Sequence, residues 1–131
     1  MAKIERFEEL QVWILAREIC QYITFLIETT SLKTNYSLKD QIVRSSGSIM
    51  DNIAEGFERN GTREFIQFLS IAKGSCGEVK SQSYRAFDKK LITEEQHVKL
   101  NNMAELEKNK LGSFINYLRN TEIKGIKFKK D

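Results

Sequence analysis

The chain has 131 residues, 40% of them hydrophobic and 30% charged, with two cysteines, one histidine and no proline. These counts give material for one core and exclude a disulfide framework and a zinc-ligand set. The formal charge is +3, but residues 1–120 carry 17 basic against 16 acidic side chains and residues 121–131 carry four lysines against two acids, so net charge alone is weak evidence for a nucleic-acid partner.

No apolar run reaches the twenty or so residues that span a bilayer, and the first ten residues hold no signal-peptide core. The expectation is a cytoplasmic protein with reduced thiols and no membrane partner. The absence of proline favours long helices, whose interiors tolerate it least.

The first predicted helix covers 7–28. Val12, Trp13, Leu15, Ala16, Ile19, Cys20, Tyr22, Ile23, Leu26 and Ile27 span about half of the helical wheel, wider than one buried stripe needs. The excess points to a second buried surface.

Helix two is expected over 37–59, with Ser37 and Asp40 as a capping-box-like pair. Leu38, Ile42, Ile49, Ile53 and Phe57 keep helical spacing, and Ser45, Ser46 and Gly56 are small residues on the same face. Near its end, Asn52, Glu55 and Arg59 cluster on one flank. Glu55 and Arg59 are in the favourable i,i+4 order, and Asn52 is expected to bond to the adjacent segment.

Helix three is expected over 62–90, with Phe65, Phe68, Leu69, Ala72, Cys76, Val79, Ala86 and Phe87 on one stripe. Gly74 and Gly77 lie off that stripe. Each glycine costs about 1 kcal/mol relative to alanine in a helix interior, so close approach of another backbone, a neighbouring subunit, is the favoured reason, ahead of a phosphate approaching the same bare backbone. Ile66 and Ile71 are read as outward-facing beside Gly74. Lys73, Lys80 and Tyr84 form an outward stripe, and Lys39, Arg44 and Arg63 are further exposed cations.

Helix four is expected over 94–120, opened by a Thr93–Gln96 capping box and carrying Leu100, Met103, Ala104, Leu111, Phe114, Ile115 and Leu118. Residues 121–131 form a basic tail, expected to be mobile, with Lys124, Lys127, Lys129 and Lys130. Long helices joined by short connections predict an all-α, antiparallel up-down-up-down four-helix bundle over residues 1–120.

Catalysis finds little support. His97 is alone and reads as a surface or rim residue, and Cys20 and Cys76 read as small core residues. The Glu-x-x-His pairs of a di-iron bundle are absent, and the glycines at 74 and 77 lack the strand and Lys-Ser/Thr of a phosphate loop. No cofactor and no metal are expected.

Several strings carry a family resemblance. Phe7-Glu8-Glu9-Leu10-Gln11-Val12-Trp13 with Ala16-Arg17-Glu18 resembles the start of the four-helix-bundle proteins encoded in intervening sequences of bacterial 23S ribosomal RNA. Gln41-Ile42 with Arg44, Ser48-Ile49, Asn52-Ile53-Ala54-Glu55-Gly56 and Arg59 are similar to that family's central motif. Glu64-Phe65, Phe68-Leu69, Ile71-Ala72, Gly74-Ser75 and Glu78 continue it. The resemblance spans residues 7 to about 120. It departs at Val43, where a second basic residue is usual, at Met50, often proline, and at Gly61, often serine.

The resemblance implies a pentameric barrel of bundles, and it relates the chain to accessory proteins of diversity-generating retroelements. Those proteins bind nucleic acid, and a reverse transcriptase is the partner that analogy implies. The leading expectation is therefore a non-enzymatic homo-oligomer contacting RNA or DNA phosphates through Arg44, Arg63, Lys73 and Lys80. A protein-interaction module is the alternative, and an enzyme ranks last.

Overall fold

A computed structural model describes residues 3–123; Lys124, Lys127, Lys129 and Lys130 lie outside the described residues. Four helices carry the chain: α1 Gln11–Thr29, α2 Tyr36–Glu58, α3 Thr62–Asp88 and α4 Glu94–Ile123. Among the described residues there is no strand. The all-α expectation holds.

Cross-helix pairs give the directions. Gln41, Ser48 and Gly56 of α2 meet Arg85, Ser75 and Phe65 of α3, in reverse order. Phe65, Lys80 and Ser83 of α3 meet Phe114, Glu105 and His97 of α4. Leu10 and Val12 line a groove with Ser113 and Phe114, whereas Lys99 stands over the Tyr22 ring. Each of these pairings is antiparallel, as an up-down bundle requires.

The ends of the helices differ from the sequence expectation in instructive ways. The opening residues form a separate 3-10 turn, Phe7–Glu9, and the chain is extended at Leu10 before α1 begins. The cap of α2 is Asn35, whose Oδ1 accepts the Leu38 N–H at 3.1 Å, and not Ser37. Ser37 lies inside the first turn, where its hydroxyl accepts from Gln41 Nε2. The box at α4 forms in both directions: the Gln96 N–H donates to Thr93 Oγ1 at 3.1 Å and the Thr93 N–H to Gln96 Oε1 at 2.9 Å. Helix α4 continues past Asn120 to Ile123, with Leu118 buried in its last turns.

Helix α3 ends in a Schellman arrangement: the Lys90 N–H donates to Phe87 O and the Leu91 N–H to Ala86 O, both at 2.9 Å. Lys90 holds φ 61°, the left-handed region that favours glycine. Gly61, before α3, has φ 128° and ψ 139°, which a serine there would rarely adopt.

The core runs the length of the bundle. Val12, Ala16, Ile19, Ile23 and Leu26 supply the α1 stripe, while the rest of its wide arc, including Trp13, Leu15, Cys20 and Tyr22, is half-buried at the flanks. Ile66 is buried at 8% exposure, against the outward placement expected for it; it sits on the edge of α3 that turns toward α4. Ile71 and Gly74 are exposed. No helix of the described residues is long and apolar enough to cross a membrane.

Candidate nucleic-acid interface

The conspicuous motif of α2 builds its seam with α3. Asn52 Nδ2 donates to Ser48 O at 2.8 Å and to Ser48 Oγ at 2.9 Å, so it bonds within its own helix and not to the adjacent one. The link to α3 passes through Ser48, which accepts from Ser75 Oγ at 2.9 Å. Ser45 Oγ donates to Glu78 and accepts from Gln82 Nε2, and Arg85 donates to Gln41. Gly56 lies tight against Phe65 and Phe68 of α3. Glu55 holds Arg59 at 2.7 Å, and the guanidinium lies 5.0 Å from the centre of the Phe68 ring. Hydrogen bonds and packing thus account for Asn52, Glu55, Gly56, Arg59 and Glu78.

The four expected cationic contacts separate. Arg44 is exposed on the outer face of α2, and Arg63 is exposed in the first turn of α3. Lys73 and Lys80 are seven residues apart on α3, which places them on one edge of the helix. That edge faces α4. Lys80 is half-buried and ion-paired with Glu105, so it is not the free outward cation expected.

The seam between α3 and α4 opens into a recess of about 460 Å³. Ser70, Lys73 and Gly74 form its α3 wall, and Lys108, Gly112, Asn116 and Arg119 face them from α4. Lys108 and Arg119 are eleven residues apart, three helical turns, and so share an edge as Lys73 and Lys80 do. A methyl group at Gly74 would meet nothing within 4 Å, and one at Gly112 would meet only the end of Lys73, at 3.7 Å. Bare backbone therefore flanks three cations, of which Lys108 is also ion-paired with Glu105. Such a recess suits an anionic chain: ammonium and guanidinium groups bond phosphate oxygens, and the glycines let a backbone approach closely.

Beyond Lys73 the seam continues to a second cluster. Glu105 bonds Lys80 and lies 3.2 Å from Lys108. Those two lysines, Lys80 first, hold its carboxyl below the usual carboxylate range. Tyr84, half-exposed, follows Lys80 by one turn.

Other titratable groups are structural. His97 is buried at 6% exposure, not a rim residue: its Nδ1 lies 2.7 Å from Ser83 Oγ, and its ring stacks on Phe87 and meets the edge of Tyr84. Ser83 is fully buried, out of reach of a substrate. Burial pushes the Cys76 thiol up to about 12 and raises Cys20, so neither thiol is poised as a thiolate. Glu107 is 0% exposed, and neither of its carboxylate oxygens has a hydrogen-bond partner. Burial pushes its carboxyl up to about 8, with Lys110 acting in the opposite sense. No group of three or more His, Cys, Asp and Glu side chains among the described residues could hold a metal ion.

These observations define a class: an antiparallel four-helix bundle with a cationic recess between its last two helices. The chain belongs to the 23S rRNA-intervening sequence protein family, whose sequence profile matches residues 8–113. It is similar to a protein of unknown function from the S23 ribosomal protein family of Bacteroides thetaiotaomicron, known from a crystal structure, with a TM-score of 0.72 and 27% identity. That similarity covers 79% of this chain and 97% of the other. No curated protein matches the sequence.

Proposed function

We propose that this protein is a non-catalytic nucleic-acid-binding bundle that holds phosphodiester backbone in the α3–α4 recess. The observation that carries the reading is the convergence of Lys73, Lys108 and Arg119, from two helices, on a recess walled by Gly74 and Gly112. Tyr84 further along the seam adds an aromatic ring to the basic track, the combination that single-strand binders use. None of these side chains makes a base-reading motif, so phosphate contact is the expected mode.

Self-association strengthens such a site, because each copy adds an equal recess to one assembly. Exposed apolar side chains support a homo-oligomer, by resemblance a pentamer. Ile14 and Phe25 stand three turns apart on the outer face of α1, and Ile71 is exposed beside the α2–α3 seam. A ring needs two different faces of the bundle to meet. The same exposed residues favour the second reading, an interaction module without nucleic acid, whose partner could be a reverse transcriptase. The two readings are separated by retention of RNA or DNA by the full chain in about 50 mM salt, where phosphate contacts are strong. Retention that falls steeply with salt supports the recess; none at all leaves the interaction module.

A further inference from the structure

The Glu105 cluster has the form of an anion site that is already filled. Lys80 comes from α3 and Lys108 from α4, and the Glu105 carboxylate bridges them. The three side chains keep 27%, 35% and 41% of their surface in Lys80, Lys108 and Glu105. An incoming anion therefore reaches them without opening the core. The cluster is partly open to solvent, where ion pairs contribute only modest net stability, so another anionic oxygen can take the place of the carboxylate. A phosphodiester oxygen makes the same charge-assisted bond to a lysine ammonium as a carboxylate oxygen does.

The place of this cluster in the seam matters. Ser70 lines the recess and Lys80 lies ten residues on, about 15 Å along α3. A chain of phosphates entering at Arg119 and Lys73 would next meet Lys80 and Lys108. Packed helices stand about 8–10 Å apart axis to axis, so the depression between them is narrow. The half-exposed Tyr84 ring beside Lys80 can stack an unpaired base, whereas the bases of a duplex are held inside its own stack.

We propose that the α3–α4 seam takes a single nucleic-acid strand and that Glu105 holds the place of one of its phosphates, as a built-in competitor that sets the affinity. This rests on the reading of the recess as a phosphodiester site.

The test uses the full chain and a labelled single-stranded oligouridine of about fifteen nucleotides. Binding is followed by fluorescence anisotropy across a salt series, beside an RNA hairpin duplex of equal length. Glu105→Gln removes the charge on a half-buried surface side chain and leaves the core alone. The variant should bind the strand about three- to tenfold more tightly. Its slope of log affinity against log salt should steepen by about 0.7 for each further phosphate engaged. Wild type that binds the strand, with Glu105→Gln binding no more tightly, would overturn the competitor role and leave the recess reading intact. Duplex bound as tightly as strand would overturn the single-strand assignment. Failure of both proteins to bind either probe in about 50 mM salt would overturn the recess reading and this inference with it.

Discussion

Gly56 faces Phe68 so closely that a β-carbon on the glycine would stand 2.7 Å from Phe68 Cβ and 2.9 Å from Phe65 Cδ1. Glycine at this point sets the separation of α2 and α3, and with it the polar seam of Ser45, Ser48, Ser75 and Glu78. Gly56→Ala should destabilise the fold by about 1–3 kcal/mol, because overpacking outweighs the gain of about 1 kcal/mol in helix propensity. Urea denaturation followed by circular dichroism reads this directly; a variant as stable as wild type would show that the helices can part freely.

Gly74 is the opposite case. Its surroundings are open, so Gly74→Leu should leave the isolated bundle at least as stable, since leucine is the better helix former. The leucine would instead fill one wall of the recess. Nucleic-acid binding should weaken while thermal stability is kept. A fall in oligomeric mass, measured by sedimentation, would place Gly74 in a subunit contact as well.

Glu107 makes stability depend on pH in a stated direction. Its folded pKa of about 8 lies above the ordinary value of 4.5. Below pH 4.5 the carboxyl is protonated in both states. Between 4.5 and about 8 the folded chain keeps a proton that the unfolded chain releases, so stability falls as pH rises, by up to about 1.4 kcal/mol per pH unit. Glu107→Met keeps the length of the side chain and removes the buried acid. The variant should be more stable than wild type at pH 8, with the difference shrinking toward pH 4.5. Equal stability at both pH values would mean that the carboxyl finds a partner in solution.

Lys90 occupies the left-handed position that ends α3. Lys90→Gly should raise stability by about 0.5–1 kcal/mol, the relief of the side chain's strain less the added freedom of the unfolded chain. A thermal melt of the two proteins checks it.

Helix number and type were legible because the apolar spacing of α1, α2 and α3 is regular and the connections are short. The caps were less so. Asn35 and Ser37 are both good caps two residues apart, and Asp40 made the wrong one look reciprocated. The 3-10 turn at Phe7–Glu9 was hidden by a continuous apolar pattern across Leu10. Residues in a helix's first turn are usually exposed, and only the register of α3 on α4 buries His97 over Ser83. Helix α4 is the least amphipathic: it buries Glu107 and exposes Val98, Leu106 and Tyr117. That masked the edge shared by Lys108 and Arg119. Lys73 was visible as a basic residue, but its opposite wall belongs to a helix about forty residues away, and no local spacing reports such a pairing.

The central claim is that phosphates bind between α3 and α4, and charge reversal in that recess tests it most directly. Lys73→Glu with Arg119→Glu should abolish most binding of single-stranded oligouridine and flatten the salt slope by about 1.4, two phosphates at about 0.7 each. Helicity and oligomeric mass should not change. Arg44→Glu, on the outer face of α2, should keep most of the affinity. Loss of binding in Arg44→Glu together with unchanged binding in the recess double variant would contradict the account.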